Sequence, residues 1–238
     1  MDVPLGRIPG GQSRGAAPFA RHYPASSRGE AGEAQADFTT IEVCRNHQLT
    51  SYKLLVLSFP YSNAAFVHPV PAENQECFLE AMKQVFGQMG GVPQRIWFDN
   101  LSAAVVHIEK QGERQLTEMF RRFCAHYRFE AVFCNPYSGH EKGHVEAKCG
   151  YSKRNWAVPV PVFENHEQLA EHFTKQAEQD RRRPHYSKRQ TIEELWHHEE
   201  KRHLLQLPAE DIGELLRIHE QIIEILQTAG VELDNGNK

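Results

Sequence analysis

The sequence predicts an α/β fold on a mixed sheet flanked by helices, with a helical C-terminal extension, and three observations carry that expectation. Short runs with strand periodicity open the chain, stretches with helical periodicity then alternate with further short strands, and the last third is helical. The 238 residues are 40% apolar and 24% charged, enough to form a core and well away from a disordered composition. The longest apolar run, Leu54 to Leu57, falls far short of the roughly 18 residues of a membrane span. With no signal-peptide pattern at the N-terminus, a cytoplasmic protein with no membrane partner is expected.

Each element has its own signal. Residues 1–30 hold five glycines and four prolines with few aliphatic side chains, too little apolar surface to offset chain entropy, and are expected to be a disordered leader. From Gln35 the alternation puts Asp37, Thr39, Ile41 and Val43 on one face of a strand and Phe38 on the other. Tyr52 to Phe59 is almost continuously apolar, as in a strand covered on both faces, and should lie mid-sheet. Pro60 and Ser62-Asn63 break that run before a strand from Ala64 to Val70, so the two can pair antiparallel. Cys77, Phe78, Ala81, Met82, Val85, Phe86 and Met89 mark a helix that Gly90-Gly91 ends. A strand at Ile96-Trp97-Phe98 runs into Asp99. A helix over Leu116 to Tyr127, a strand from Glu130 to Cys134 and a loop through Asn135-Pro136 follow. A helix beginning near His140 would carry Glu146. Thr191 with Glu194 fits a capping box, and Pro208 opens an amphipathic stretch through Leu226. These signals divide the chain into a leader (1–30), a core (31–160), a helical extension with a basic connector (161–207) and a terminal helix and tail (208–238).

Charge is unevenly spread. The formal net charge is −4, yet residues 142–189 carry ten basic and six acidic side chains while residues 190–238 carry four and eleven. A basic segment inside an acidic chain is either an electrostatic footprint for an anionic partner or a solvated helix face. Arg181-Arg182-Arg183 with Lys188-Arg189 forms a second basic cluster, suited to tracking a phosphate backbone or to a flexible connector. The five scattered cysteines, never in a C-x-x-C pair, indicate neither a disulfide framework nor a cysteine zinc site.

Three carboxylates stand out by position: Asp37 on the first strand, Asp99 ending a later strand, and Glu146 on a helix after a Pro/Gly loop. An acid ending a strand of a buried sheet must be solvated, paired or metal-bound. Two aspartates and a glutamate supply the hard oxygens with which two divalent cations drive phosphoryl transfer. Lys142, Glu146 and Lys153 share a helix face, with Lys148 and Arg154 nearby, which suits a phosphate backbone approaching such a site. A competing signal is His140-Glu141-Lys142-Gly143-His144, a literal H-E-x-x-H, the spacing of zinc hydrolases. Gly143 weakens the helix that must hold both histidines, and Ala147 and Gly150 stand where the extended motif needs glycine and histidine. Glu164 or Glu167 could still complete a zinc site, so a zinc hydrolase through His140 and His144 stays open as a minor alternative.

The strings G-E-A-Q-A-D-F (32–38), Y-K-L-L-V-L-S-F-P-Y-S-N-A (52–64), N-Q-E-C-F-L-E-A (74–81), G-G-V-P-Q-R-I-W-F-D-N-L (90–101) and N-P-Y-S-G-H-E-K-G-H-V-E (135–146) resemble the catalytic core of IstA-type insertion-sequence transposases. The likeness continues through Y-S-K-R-N-W (151–156) and P-H-Y-S-K-R-Q-T-I-E-E-L-W (184–196), spanning roughly residues 29–207. The resemblance implies an integrase-type, ribonuclease-H-like core with a D, D, E triad at Asp37, Asp99 and Glu146 holding two Mg²⁺ ions, with Mn²⁺ as a substitute. It also implies cleavage and strand transfer at DNA element ends, a target DNA, an IstB-like ATPase helper and a homo-oligomer on DNA. Lys142, Lys148, Lys153 and Arg154 are then candidate DNA contacts, and the H-E-x-x-H spacing becomes coincidental. The sequence departs from the family before the core, where helix-turn-helix segments are expected, after about Pro208, and at Thr39, where glycine is expected. These departures imply a truncated or rearranged member, with an inactive remnant that binds DNA or dimerises as the alternative.

Overall fold

The computed structural model describes residues 30–98, 105–108, 114–134, 143–210 and 212–213. The expected leader, Asp99, His140, Glu141, Lys142 and most of the expected terminal helix lie outside the described residues.

Strands β1 (Glu33–Arg45), β2 (Gln48–Ser58) and β3 (Ala65–Val70) form an antiparallel meander. Helix α1 (Gln75–Met89) then crosses to β4 (Arg95–Phe98), which pairs parallel to β1. A short hairpin, β5 (Val105–Ile108) and β6 (Arg114–Leu116), follows, and helix α2 (Glu118–Tyr127) leads to β7 (Glu130–Phe133), parallel to β4. The main sheet has the order β3-β2-β1-β4-β7, so it is mixed, as expected. The centre, however, is β1 rather than the apolar β2. Both are interior strands, but β1 carries polar side chains at the middle of the sheet.

The helix ends follow from local chemistry. Asn74 caps α1 by accepting from the Cys77 amide at 2.8 Å, and Gly90 ends it at φ 68°, a left-handed conformation that suits glycine. Thr117 caps α2 in the same way, accepting from the Phe120 amide at 3.2 Å. The Thr191–Glu194 capping box is present in both directions at α5 (Ile192–Leu195).

Two cores lie on the two faces of the sheet. On one, Ala34, Ala36, Leu55, Leu57, Ile96 and Phe98 pack under α1 and α2. The rings of Phe78, Phe86, Phe98, Phe120, Phe123 and Phe129 meet there at centroid separations of 5.7 to 6.5 Å, mostly edge to face. On the other face, Ile41, Val43, Leu54, Val56 and Val67 pack against α3 (Gly143–Asn155) and α4 (His166–Arg181) through Val145, Cys149, Leu169 and Phe173. Helix α4 is thus part of the sandwich, although the sequence assigned it to an extension. The Arg181–Arg183 segment is likewise tied down. Arg181 donates to Glu193 at 2.9 Å and to the Ala65 carbonyl at 3.3 Å, and Arg183 donates to Asp180 at 2.6 Å.

Candidate catalytic site

Strand alternation decides where Asp37 points. Odd-numbered residues of β1 share a face with Ile41 and Val43, the face covered by α3 and α4, while Phe38 packs into the opposite core. Asp37 lies opposite Val56 of β2, and its Oδ1 accepts from the Phe38 amide at 2.8 Å. Gln35, on the same face, accepts from the Val145 amide at 3.1 Å, so the first turn of α3 is docked on the strand that carries Asp37.

Glu146 sits in that first turn. Helix α3 buries Val145, Lys148, Cys149 and Ser152, and leaves Glu146, Lys153 and Arg154 exposed. Its Cys149 is buried against the sheet. Burial pushes this thiol up to about 12, and the negative charges of both Asp37 and Glu146 add to the shift. The third candidate, Asp99, lies outside the described residues. Phe98, which directly precedes it, is registered opposite Ala36, which directly precedes Asp37.

Of the candidate DNA contacts, Lys153 and Arg154 are exposed in the last turn of α3, and Lys142 lies outside the described residues. Lys148 points inward, contrary to the expectation from sequence. Its side chain is 3% exposed, and Nζ donates to the Asn63 carbonyl at 2.9 Å and to Asp180 Oδ2 at 3.3 Å. Helical spacing put it beside the basic face, but two residues on from Glu146 it lies about 160° round the helix and turns with Val145 and Cys149 toward the sheet, where α4 supplies a counter-ion. Burial lowers its pKa to about 8 against the pull of Asp180. Sequence reasoning missed Asp180, which is also 3% exposed on its side chain. Burial raises its carboxyl, but bonds from Arg183 and Tyr151 and the charge of Lys148 together hold it below the ordinary carboxylate range.

His144, the described half of the histidine pair, shares a hydrogen bond with Ser58 through Nδ1 and Oγ at 3.2 Å. Burial, with Lys148 and His185 adding, lowers its pKa to about 4, so the ring is neutral at pH 7. Among the described residues no three His, Cys, Asp or Glu side chains converge as a metal site. Nor, among them, is any helix long and apolar enough to cross a membrane.

Known structures share this arrangement of sheet and helices. The simian T-cell lymphotropic virus intasome, solved with PP2A regulatory subunit B56 gamma, aligns with a TM-score of 0.55 over 80% of this chain and 62% of its own, at 16% identity. The HTLV-2 integrase catalytic core domain in complex with magnesium aligns at 0.51 over 71% of this chain and 97% of that one, at 19% identity. The fold is therefore that of the integrase catalytic cores, a ribonuclease-H-like mixed sheet with helices on both faces. In sequence the chain is a homologue of transposases. It is 30% identical over 169 residues to a transposase of Aminobacter aminovorans, covering 70% of this chain and 33% of that protein. It is 30% identical over 164 residues to the transposase for insertion sequences IS1326/IS1353 of Pseudomonas aeruginosa, covering 68% of this chain and 31% of that protein. The chain thus spans about a third of the length of the curated relatives it matches. No family model matches the chain.

Proposed function

We propose that this chain carries the catalytic core of an IstA-type DNA transposase, cleaving DNA at the ends of an insertion sequence and joining them to a target. The observation that carries the reading is the docking of the first turn of α3, which carries Glu146, on β1, which carries Asp37, through the 3.1 Å bond from the Val145 amide to Gln35, on the fold of an integrase core. Asp37 and Glu146 offer hard carboxylate oxygens, the donor chemistry that Mg²⁺ or Mn²⁺ takes, and in this reading Asp99 completes the set. The parallel register of β4 against β1 supports that assignment, since Asp99 follows Phe98 and Asp37 follows the paired Ala36. A pair of such ions, when bound, supplies activation of the attacking oxygen and charge relief at the leaving one.

The protein's own part is positioning. β1 and α3 hold the two carboxylates on a sheet-and-helix scaffold, and Gln35 locks the first turn of α3 to the strand. Exposed Lys153 and Arg154 offer cations to a DNA backbone running along α3, and Lys142, close before α3 in sequence, is proposed with them. Element ends and target DNA are the substrates, a homo-oligomer on DNA the working form, and an IstB-like ATPase the helper.

The test is nicking of a duplex carrying the element end, in Mg²⁺ and in Mn²⁺, by the wild type and by Asp37→Asn, Asp99→Asn and Glu146→Gln. Loss of nicking in all three, with DNA binding and thermal melting kept, is the expected result. Undiminished nicking by Asp99→Asn would remove that residue from the set, and DNA binding by the wild type without nicking in either metal would favour the inactive remnant.

A further inference from the structure

Where Glu146 points depends on how α3 is rotated about its own axis, and apolar packing sets that rotation weakly. Of its four buried residues only Val145 and Cys149 are apolar, and Gly143 and Gly150 soften the helix. The remaining inward contacts are polar and directional: Gln35 and Ser58 hold the first turn through the Val145 amide and His144, and Lys148 and Tyr151 reach the α4 side. Lys148 reaches the Asn63 carbonyl in the β2–β3 turn and Asp180 in the last turn of α4. Asp180 also accepts from Arg183 Nε at 2.6 Å, and the Lys148 and Arg183 cations lie 5.5 and 5.4 Å from the Tyr151 ring centroid, so two residues of α3, one helical turn apart, belong to this cluster.

A buried ion pair of this kind adds little net stability compared with apolar side chains of equal volume, so its value lies in fixing one geometry. We propose that Asp180 is a positioning residue for Glu146, fixing the rotation of α3 through its ion pair with Lys148 so that Glu146 faces Asp37. The inference rests on the reading of Glu146 as a metal-holding carboxylate. Side chains on a helix reach about 5–6 Å from its axis, so a rotation of roughly 20° moves the carboxylate by about 2 Å. Misplacement by about 1 Å costs on the order of 100-fold in rate.

The experiment compares nicking kinetics, Mn²⁺ dissociation constants from electron paramagnetic resonance, and melting temperatures for the wild type and four variants of the full chain. Glu146→Gln tests the underlying reading. Asp180→Asn leaves Lys148 without its counter-ion, and Lys148→Met with Asp180→Leu removes both charges at similar volume. Asp180→Glu keeps the charge but lengthens the arm. Expected for the double variant is a melting temperature near that of the wild type, kcat about 10- to 100-fold lower, KM for DNA within about 2-fold, and Mn²⁺ bound at least about 5-fold more weakly. Asp180→Glu should recover more of kcat than Asp180→Asn does. Wild-type kcat and Mn²⁺ affinity in a folded double variant would overturn the proposal. If that variant and Asp180→Asn do not fold, Asp180→Glu decides, and wild-type kcat there overturns it. Full nicking and Mn²⁺ binding by Glu146→Gln would instead refute the reading of Glu146, which separates the two failures.

Discussion

Glu200 to Gln is the substitution whose effect the structure sets most closely. The Glu200 side chain is completely buried, and its two oxygens accept from two backbone amides far apart in sequence, Gly32 at 2.6 Å and Ser62 at 3.1 Å. It thereby ties the entry of β1, five residues before Asp37, to the β2–β3 turn. A glutamine has one acceptor oxygen, so one of the two amides would face an N–H₂ group and lose its partner. A hydrogen bond to a charged group contributes about 1.5–3 kcal/mol, while removing the buried charge returns part of that. The net loss is about 2 kcal/mol, a fall in melting temperature of about 4–8 °C for a chain of this size. The pH dependence has a definite sign. Burial raises the Glu200 carboxyl above its ordinary value, outweighing the bonds from Gly32 and Ser62. Between the unfolded value and that raised folded value the native state holds the extra proton, so this group makes the wild type gain stability as pH falls through that window. Glutamine cannot titrate, so the variant loses that contribution. Melting followed by circular dichroism from pH 4 to pH 8 measures both effects. An unchanged melting temperature and an unchanged slope would refute the reasoning.

Three further substitutions or reagents test the packing. Phe86→Ala empties a fully buried site against Phe123, Tyr127 and Phe129, and should cost about 3–5 kcal/mol, read as a fall of roughly 10 °C or more in melting temperature. Thr191→Ala removes the capping box of α5 and should cost about 1 kcal/mol by urea unfolding; a change below about 0.3 kcal/mol would mean the box contributes nothing. Alkylation at pH 8 should label the half-buried Cys44 and Cys77 well before Cys149 and Cys124, whose thiols burial both shields and pushes up. Equal labelling of Cys149, read by mass spectrometry, would mean that α3 is not docked on β1.

The sequence makes the scaffold of the site readable because its signals are local. Alternation from Gln35 to Val43 places Asp37 on the correct face, and the apolar spacing from Cys77 to Met89 with Gly90 defines α1 within two residues. What it hides are pairings set by tertiary structure. Lys148 and Asp180 are 32 residues apart, and each sits in a charged stretch that reads as a solvated face until α3 and α4 pack together. Glu200 is hidden in the same way inside His197-His198-Glu199-Glu200, since its partners are backbone amides with no sequence signature. The apolar density of β2 drew the centre of the sheet to the wrong strand, because coverage on both faces and central position are different properties. The β5–β6 hairpin escaped notice because three or four residues are too few for a periodic signal.

In the proposed function, Asp37, Asp99 and Glu146 hold the metal that drives DNA strand cleavage. Anomalous scattering from Mn²⁺-soaked crystals of the full chain tests it most directly. A peak between the carboxylates of Asp37, Asp99 and Glu146 is expected, and a peak at His140 and His144 instead would overturn that assignment and restore the zinc-hydrolase chemistry.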